Sequence, residues 1–238
     1  MSRPLVVIPT FNEAHTIAAL VASIHDALPL AHVLVVDDAS ADGTGQLVDR
    51  LAASSSELHA LHRPKKLGLG SAYVEGFRWG LARGFDRFIE MDADFSHDPA
   101  YLPRFMSELD AGADLVVGSR NVPGGAVEGW GALRHAISKG GSLYARLILR
   151  ANVRDLTTGY KAYSRRAVER LLSGELRSNG YAFQIETTYR LLQAGLRVVE
   201  LPIVFVDRRA GQSKMTRHEI VEAVIAVWTL RAPGRLKP

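Results

Sequence analysis

Short unbroken apolar runs alternate with amphipathic segments along the first half of the chain. Leu5-Val6-Val7-Ile8 and Val33-Leu34-Val35-Val36 have the pattern of strands buried on both faces. Pro9 is expected to end the first, and the second runs into Asp37-Asp38. Between them Ile17, Leu20, Val21, Ile24 and Leu28 recur at helical spacing, after an Asn12 suited to capping a helix. Leu47, Val48 and Leu51 mark a second helix, and residues 58–61 a shorter strand. Leu67-Gly68-Leu69-Gly70-Ser71-Ala72 opens a helix carrying Tyr73, Phe77 and Leu81. The Walker pattern is absent, so close packing of that helix on the sheet explains the glycines better than phosphate binding does. Residues 85–91 form the next strand, 99–109 a helix and 114–119 another strand.

The second half is less regular. Residues 122–130 are Gly-rich and read as a mobile loop. Leu133, Ile137, Tyr144, Leu147 and Ile148 trace a helix over 133–149, with Arg134, Lys139, Arg146 and Arg150 interspersed. Such a helix suits packing on the sheet or facing lipid phosphates. Residues 155–163 are a polar turn entering a strand, while 167–172 and 182–193 are helical. The strand over 198–206 is interrupted by Pro202 and so belongs at an edge. Residues 207–214 form a basic, flexible loop with Gly211 as a hinge. Residues 219–230 form an apolar helix containing Trp228, followed by Arg231, Arg235 and Lys237. That composition suits a membrane interface, or docking on the domain or on a second subunit.

The alternation predicts an α/β fold, a mostly parallel central sheet with helices on both faces. Ligands bind at the carboxyl ends of such strands. Polar clusters fall at four of them: residues 10–13, Asp37-Asp38, Asp92 to Asp94, and Arg120. At 238 residues the chain suits one large domain with a small extension. It has no cysteine, hence no disulfide framework, and this fits a reducing compartment. No signal peptide precedes the first strand, and no run approaches the ~20 apolar residues of a spanning helix. Residues 1–119 hold 9 Lys/Arg against 16 Asp/Glu, and residues 120–238 hold 20 against 9. The acidic half suits a metal and sugar hydroxyls, and the basic half suits phosphates or an anionic membrane surface. No nucleic-acid recognition motif is visible.

The chemistry centres on Met91-Asp92-Ala93-Asp94-Phe95-Ser96-His97-Asp98. In an extended chain Asp92 and Asp94 point the same way. Paired carboxylates at a strand mouth hold a hard divalent cation, which commonly bridges to substrate phosphates. A polar turn after a buried strand explains the same residues without a metal. His97 suits a supporting role better than ligation, because hard cations prefer oxygen.

Taken together, Val7-Ile8-Pro9-Thr10-Phe11-Asn12-Glu13, Val35-Val36-Asp37-Asp38 with the turn through Thr44, and Met91-Asp92-Ala93-Asp94 resemble family 2 glycosyltransferases of the GT-A, Rossmann-like fold. Gly118-Ser119-Arg120, the stretches at 155–160 and 180–186, and Arg208-x-x-Gly211-x-Ser213-Lys214 are similar to dolichyl- or polyprenyl-phosphate mannosyltransferases, of the type without transmembrane helices. The resemblance implies a catalytic domain over 1–214 and an amphipathic helix with a basic tail over 215–238. It implies mannose transfer from GDP-mannose to a polyprenyl phosphate, with Mg²⁺ or Mn²⁺ held by Asp92 and Asp94. Pro9, Phe11, Glu13, Val36 and Asp38 would line the nucleotide pocket, and Asp92, Ala93 and Asp94 would meet the nucleotide-sugar. Ser96 falls where some relatives supply a further metal ligand. Arg120 would meet the acceptor or donor phosphate, and Arg208 and Lys214 would close on the donor diphosphate; in a direct inverting displacement Arg120, with Arg134, would orient the acceptor phosphate. Asp94, Arg120 and Arg208 are the catalytic candidates. The implied setting is peripheral, on the cytoplasmic face of a membrane, with a membrane-anchoring protein as a further partner. A polyprenyl-phosphate glucosyltransferase using UDP-glucose, a non-catalytic nucleotide-sugar-binding subunit and a nucleotidyltransferase are the rival readings. The last favours a Gly-rich N-terminal loop, which Pro9-Thr10-Phe11-Asn12-Glu13 is not.

Overall fold

The computed structural model describes residues 2–176, 178–207 and 217–231. Its elements run β1 (Pro4–Thr10), α1 (Ile17–Ala27), β2 (His32–Asp37), α2 (Thr44–Ala52), β3 (Leu58–His62), α3 (Leu69–Ala82), β4 (Arg87–Glu90), a 3₁₀ turn and α4 (Leu102–Asp110), then β5 (Leu115–Ser119). They continue with β6 (Ala126–Glu128), α5 (Ala132–Leu149), β7 (Lys161–Ser164), α6 (Arg165–Leu172), α7 (Gly180–Gln193), β8 (Val198–Pro202), β9 (Val204–Val206) and α8 (Arg217–Arg231).

Seven strands form one sheet in the order β3-β2-β1-β4-β7-β5-β8. Only β7 runs antiparallel to its neighbours. The chain winds outward from β1 to β3, then returns to place β4 on the other side of β1. That reversal opens a crevice beyond the carboxyl ends of β1 and β4. Alternate residues of the central strands feed opposite cores. Val6, Ile8, Val33, Val35 and Ile89 pack with α1 and α4. Leu5, Val7, Leu34, Val36 and Phe88 pack with α3 and α7.

The glycines of α3 do serve close packing, although the tightest contacts with the sheet lie further along the helix than its entrance. A Cβ on Gly76 would lie 2.5 Å from Val7 Cγ1, and one on Gly80 would lie 2.6 Å from both Leu5 and Phe88. No larger residue fits without moving the sheet. Gly70, at the entrance, is pressed instead against Phe183 and the Ser178 carbonyl.

Three expectations need correction. Pro9 does not end β1, which continues to Thr10, paired with Asp37. Its missing N–H is tolerated because β4, on the other side, has already stopped opposite Val7. Asn12 does not cap α1, whose N-cap is Thr16. The Gly-rich segment 122–130 is not loop throughout, since β6 pairs in parallel with β9 in a second, two-stranded sheet. Pro202 stays within β8, opposite Ser119, and the break falls at Ile203; the edge placement is as expected, since β8 is the edge strand of the main sheet and β9 crosses to the small one.

The C-terminal helix docks on the domain. Val227 and Leu230 are buried with Ala145, Leu149, Ile185 and Tyr189, and Arg231 Nη1 donates to the Ile148 carbonyl at 2.6 Å. Val224, Ile225 and Trp228 remain exposed. The basic tail beyond Arg231 lies outside the described residues. No helix among the described residues is long and apolar enough to cross a membrane.

Candidate active site

The loops after β1 and β2 are laced together by short polar side chains. Thr10 Oγ1 donates to Asp37 Oδ1 at 2.9 Å, and Asp37 also accepts from the Ser40 hydroxyl at 2.6 Å. The Asn12 N–H donates to Ser40 Oγ, while Asn12 Oδ1 accepts from the Ala41 N–H, each at 2.9 Å. The Glu13 N–H reaches Thr44 Oγ1, and the Ala14 N–H reaches Asp42. Asn12, Ala39 and Phe95 hold φ of 62°, 54° and 60°. Left-handed backbone is uncommon outside glycine and gathers at functional sites. These three fall in the loops after β1, β2 and β4, at the crevice, while a fourth, Arg150, ends α5.

The expected nucleotide-pocket residues are not equivalent. Phe11 and Glu13 are partly exposed in the first loop, with Lys66 Nζ 4.3 Å from the Phe11 ring centre. Pro9 is partly buried beside them. Val36 is fully buried in the α3 core and reaches no surface. The Asp38 carboxylate is paired with a buried Arg63, which also donates to Ser71 Oγ and the Gly68 carbonyl. Sequence reasoning passed over Arg63. Its only local signal is a cation directly after a weak strand, the first of three in Arg63-Pro64-Lys65-Lys66.

Asp92 and Asp94 do not sit in an extended chain. β4 stops at Glu90, and the residues beyond it fold into a turn through left-handed Phe95. The Asp92 side chain is one-third exposed, whereas Asp94 is largely buried and accepts from the Ser96 N–H at 3.0 Å. The Ser96 hydroxyl is shielded and has no hydrogen-bond partner among the described residues. His97 takes a supporting position: its Nδ1 accepts from the Asp92 N–H at 3.1 Å. The buried ring stacks on Tyr160 at 4.7 Å and meets the edge of Phe205.

Beneath this turn lies a pair that the sequence hid. Glu90 and Lys161 face each other across β4 and β7, both fully buried. Burial pushes the Glu90 carboxyl up to about 7, with Lys161 and a bond from Tyr163 acting against it. Burial likewise lowers Lys161 to about 8, opposed chiefly by Glu90. Lys161 Nζ donates to the Gln184 carbonyl, Gln184 Oε1 and Thr187 Oγ1 at 2.7, 2.8 and 3.2 Å.

On the other side of the crevice, Arg120 grips the fully buried Asp155 through Nε at 2.7 Å and Nη2 at 2.8 Å. Its backbone N–H adds a third bond, and Nη2 also donates to Thr157 Oγ1. Burial alone would raise the Asp155 pKa, but the charge and hydrogen bonds of Arg120 outweigh it and hold the carboxyl below its ordinary value. Arg134 Nη1 lies 3.0 Å from both Asp207 oxygens, and its guanidinium stacks on Trp130 at 4.2 Å. Arg208 and Lys214 lie outside the described residues. The described site thus joins the acidic turn to two arginines, each already paired with an aspartate.

This sheet order, with an acidic turn after β4 at the reversal, is a GT-A-like fold. The glycosyl transferase family 2 profile matches residues 5–172, and the chain belongs to that family. It is 47% identical to polyprenol monophosphomannose synthase of Mycolicibacterium smegmatis over 237 residues, spanning 98% of this chain and 89% of that protein. It is also 47% identical to undecaprenyl-phosphate mannosyltransferase of Micrococcus luteus, spanning 97% and 95%. Among solved structures, glucosyl-3-phosphoglycerate synthase from Mycobacterium tuberculosis, in complex with Mn²⁺, UDP-glucose and phosphoglyceric acid, matches with a TM-score of 0.70 at 20% identity. That match spans 97% of this chain and 80% of the other, and it shows a shared fold.

Arg120 is a structural residue as well as a candidate phosphate ligand. Replacing it by Met leaves Asp155 buried and uncompensated, with an expected loss of about 3–5 kcal/mol in urea unfolding. The Arg120→Met, Asp155→Leu double variant should recover much of that loss. A single-variant cost below about 1 kcal/mol would contradict the assignment.

Proposed function

We propose that this glycosyltransferase moves mannose from GDP-mannose to a polyprenyl (dolichyl) phosphate with inversion, giving polyprenyl-phosphate-mannose. The observation that carries the reading is identity of 47% along nearly the full chain to two proteins whose names join mannose and prenyl phosphate. The site supports it, with an acidic turn on one side of the crevice and Arg120 and Arg134 on the other. We assign the catalytic domain to residues 1–214 and the helix with its basic tail to 215–238.

Asp92 and Asp94 present oxygen donors, and the orphaned Ser96 hydroxyl beside Asp94 adds a third of the same kind. Such a set fits a hard cation, Mg²⁺ or Mn²⁺. When bound there, the cation stabilises the charge that develops on the departing nucleoside diphosphate. Phe11 and Glu13 flank the nucleotide, and Arg208 and Lys214 complete the cover over its diphosphate. Asp38, held by Arg63, has its charge already matched, which suits a nucleotide contact better than a general base. The acceptor oxygen is already anionic, so no strong base is needed. Arg120 and Arg134 orient the phosphate for direct attack on the anomeric carbon, and the diphosphate leaves from the opposite face.

The acceptor also implies a membrane surface. Leu143 and Leu147 of α5 and Val224, Ile225 and Trp228 of α8 are exposed on two helices that pack together. Between Glu128 and Asp155 the chain carries Arg134, Lys139, Arg146, Arg150 and Arg154 and no acidic residue. An apolar face with basic flanks suits peripheral binding to an anionic, cytoplasmic leaflet, aided by a membrane-anchoring protein. Nucleic acid has no part in this reading.

The test supplies radiolabelled GDP-mannose, undecaprenyl phosphate and Mn²⁺ or Mg²⁺, and counts label in the organic phase. Label should appear in a β-linked product and fall roughly 100–1,000-fold with EDTA or in Asp94→Ala, the scale expected when electrostatic stabilisation is lost. An α-linked product overturns inversion. Label from UDP-glucose alone supports the glucosyltransferase alternative, and donor binding without turnover supports a non-catalytic subunit. For the membrane face, Leu147→Glu combined with Trp228→Glu should weaken sedimentation with anionic vesicles at least tenfold. Unchanged sedimentation rejects it.

A further inference from the structure

Arg120 at the end of β5 and Arg134 in the first turns of α5 meet around Trp130. The guanidinium carbon of Arg134 lies 4.2 Å from the indole centre, and that of Arg120 lies 5.8 Å from the same centre. Phe205 stands edge-on to Trp130 at 5.3 Å and is 5.6 Å from the Arg120 guanidinium carbon. Two cations gathered at one place repel, and the negative face of an aromatic ring offsets part of that repulsion.

The indole is itself held in place. Gly129 before it has φ of +85°, and a Cβ there would come within 2.9 Å of Asp207 Cβ. The flanking β6 is joined to β9, with the Ala126 N–H donating to the Ile203 carbonyl at 3.0 Å and the Asp207 N–H to the Glu128 carbonyl at 2.9 Å. The small two-stranded sheet therefore sets Trp130, Phe205 and Asp207 against the two arginines.

Two donors in this cluster are unspent. Trp130 Nε1 and Arg134 Nε are shielded from solvent and have no acceptor among the described residues. Buried N–H groups are nearly always paired, so unpaired ones beside two guanidinium groups point to an anion. Each guanidinium meanwhile meets a carboxylate of the protein, Asp155 for Arg120 and Asp207 for Arg134. The Asp155 pair is buried, whereas the Arg134–Asp207 pair is partly exposed and can be exchanged. In the pair with Asp207 only Nη1 of Arg134 donates, whereas a phosphate monoester carries more charge than a carboxylate and offers oxygens for both Nη1 and the unspent Nε.

We propose that Trp130 is a positioning residue for the acceptor phosphate. Its ring holds Arg120 and Arg134 within reach of one phosphate group. Its Nε1–H becomes a further donor when that phosphate takes the place of Asp207 on Arg134. The inference rests on reading this cluster as the acceptor side of the crevice.

The test uses the full chain with two variants, Trp130→Phe, which keeps a ring without the N–H, and Trp130→Leu, which removes the platform. Farnesyl phosphate is the binding probe, followed by tryptophan fluorescence in chains that all carry Trp228→Phe, so that the exposed Trp228 does not report the lipid chain. It should change the emission when Trp130 is present and not when Trp130→Phe is added. In the transfer assay Trp130→Leu should raise KM for undecaprenyl phosphate at least tenfold, with KM for GDP-mannose within about twofold of wild type. Trp130→Phe should raise the acceptor KM about 2–10-fold, the range of one hydrogen bond. An unchanged acceptor KM, equal shifts in both KM values, or an emission change that persists in Trp130→Phe overturns the proposal. If wild type answers farnesyl phosphate through Trp130 yet transfers no sugar, the functional reading fails while the phosphate site stands. If it transfers mannose and both variants match it, only the role of Trp130 fails.

Discussion

Asp155 has no contact with solvent, and a carboxylate so placed persists only if its charge is met and its lone pairs are filled. Arg120 does both, with two side-chain bonds and one from its backbone. The same turn is fixed from behind by Glu200 of β8, which accepts from the N–H groups of Arg154 and Asp155 at 2.8 and 3.0 Å. Thr157 then links Arg120 to Ser142 of α5 at 3.1 Å. One ion pair thereby locks β5, β8, the 155–158 turn and α5 into a single block. The side of the crevice that we propose for the acceptor is built on that block, including the helix that carries the exposed leucines.

The opposite side is held differently. There the polar atoms of Thr10, Asn12, Asp37, Ser40, Asp42 and Thr44 satisfy one another and the backbone, so the loops after β1 and β2 behave as one unit. The turn that bears Asp92 and Asp94 is steadied by His97, itself held between Tyr160 and Phe205. Phe205 belongs to the small sheet and also faces Arg120. The aromatic group of His97, Tyr160, Phe205 and Trp130 is therefore the physical contact between the acidic and the basic halves of the site. A mostly parallel sheet with its order reversed at β1 and β4 brings those halves together, although they lie far apart in sequence.

Much of this was legible in the chain. Leu5 to Ile8 and Val33 to Val36 read as strands because burial on both faces leaves an unbroken apolar run. Asp92, Asp94 and Arg120 stood out because they end such runs. What stayed hidden depends on partners distant in sequence. Glu90 looked like part of an apolar strand, and only the antiparallel register with β7 places Lys161 opposite it. Residues 126–128 looked like loop because their partner strand is β9. Asp155 looked like a turn residue until β5 brought Arg120 to it. Pro9 and Asn12 misled for a related reason: rules for ending a strand or capping a helix are local, whereas both residues answer to a neighbouring loop or strand.

We propose that a divalent cation and a nucleoside diphosphate-sugar meet at the acidic turn after β4. Mn²⁺ titration followed by electron paramagnetic resonance, with and without GDP-mannose, tests this. One Mn²⁺ per chain is expected in the presence of the donor, bound at least ~100-fold more weakly in Asp94→Asn because a charged oxygen ligand is lost. Donor-dependent Mn²⁺ binding of undiminished affinity in Asp94→Asn would contradict it and move the centre elsewhere in the crevice.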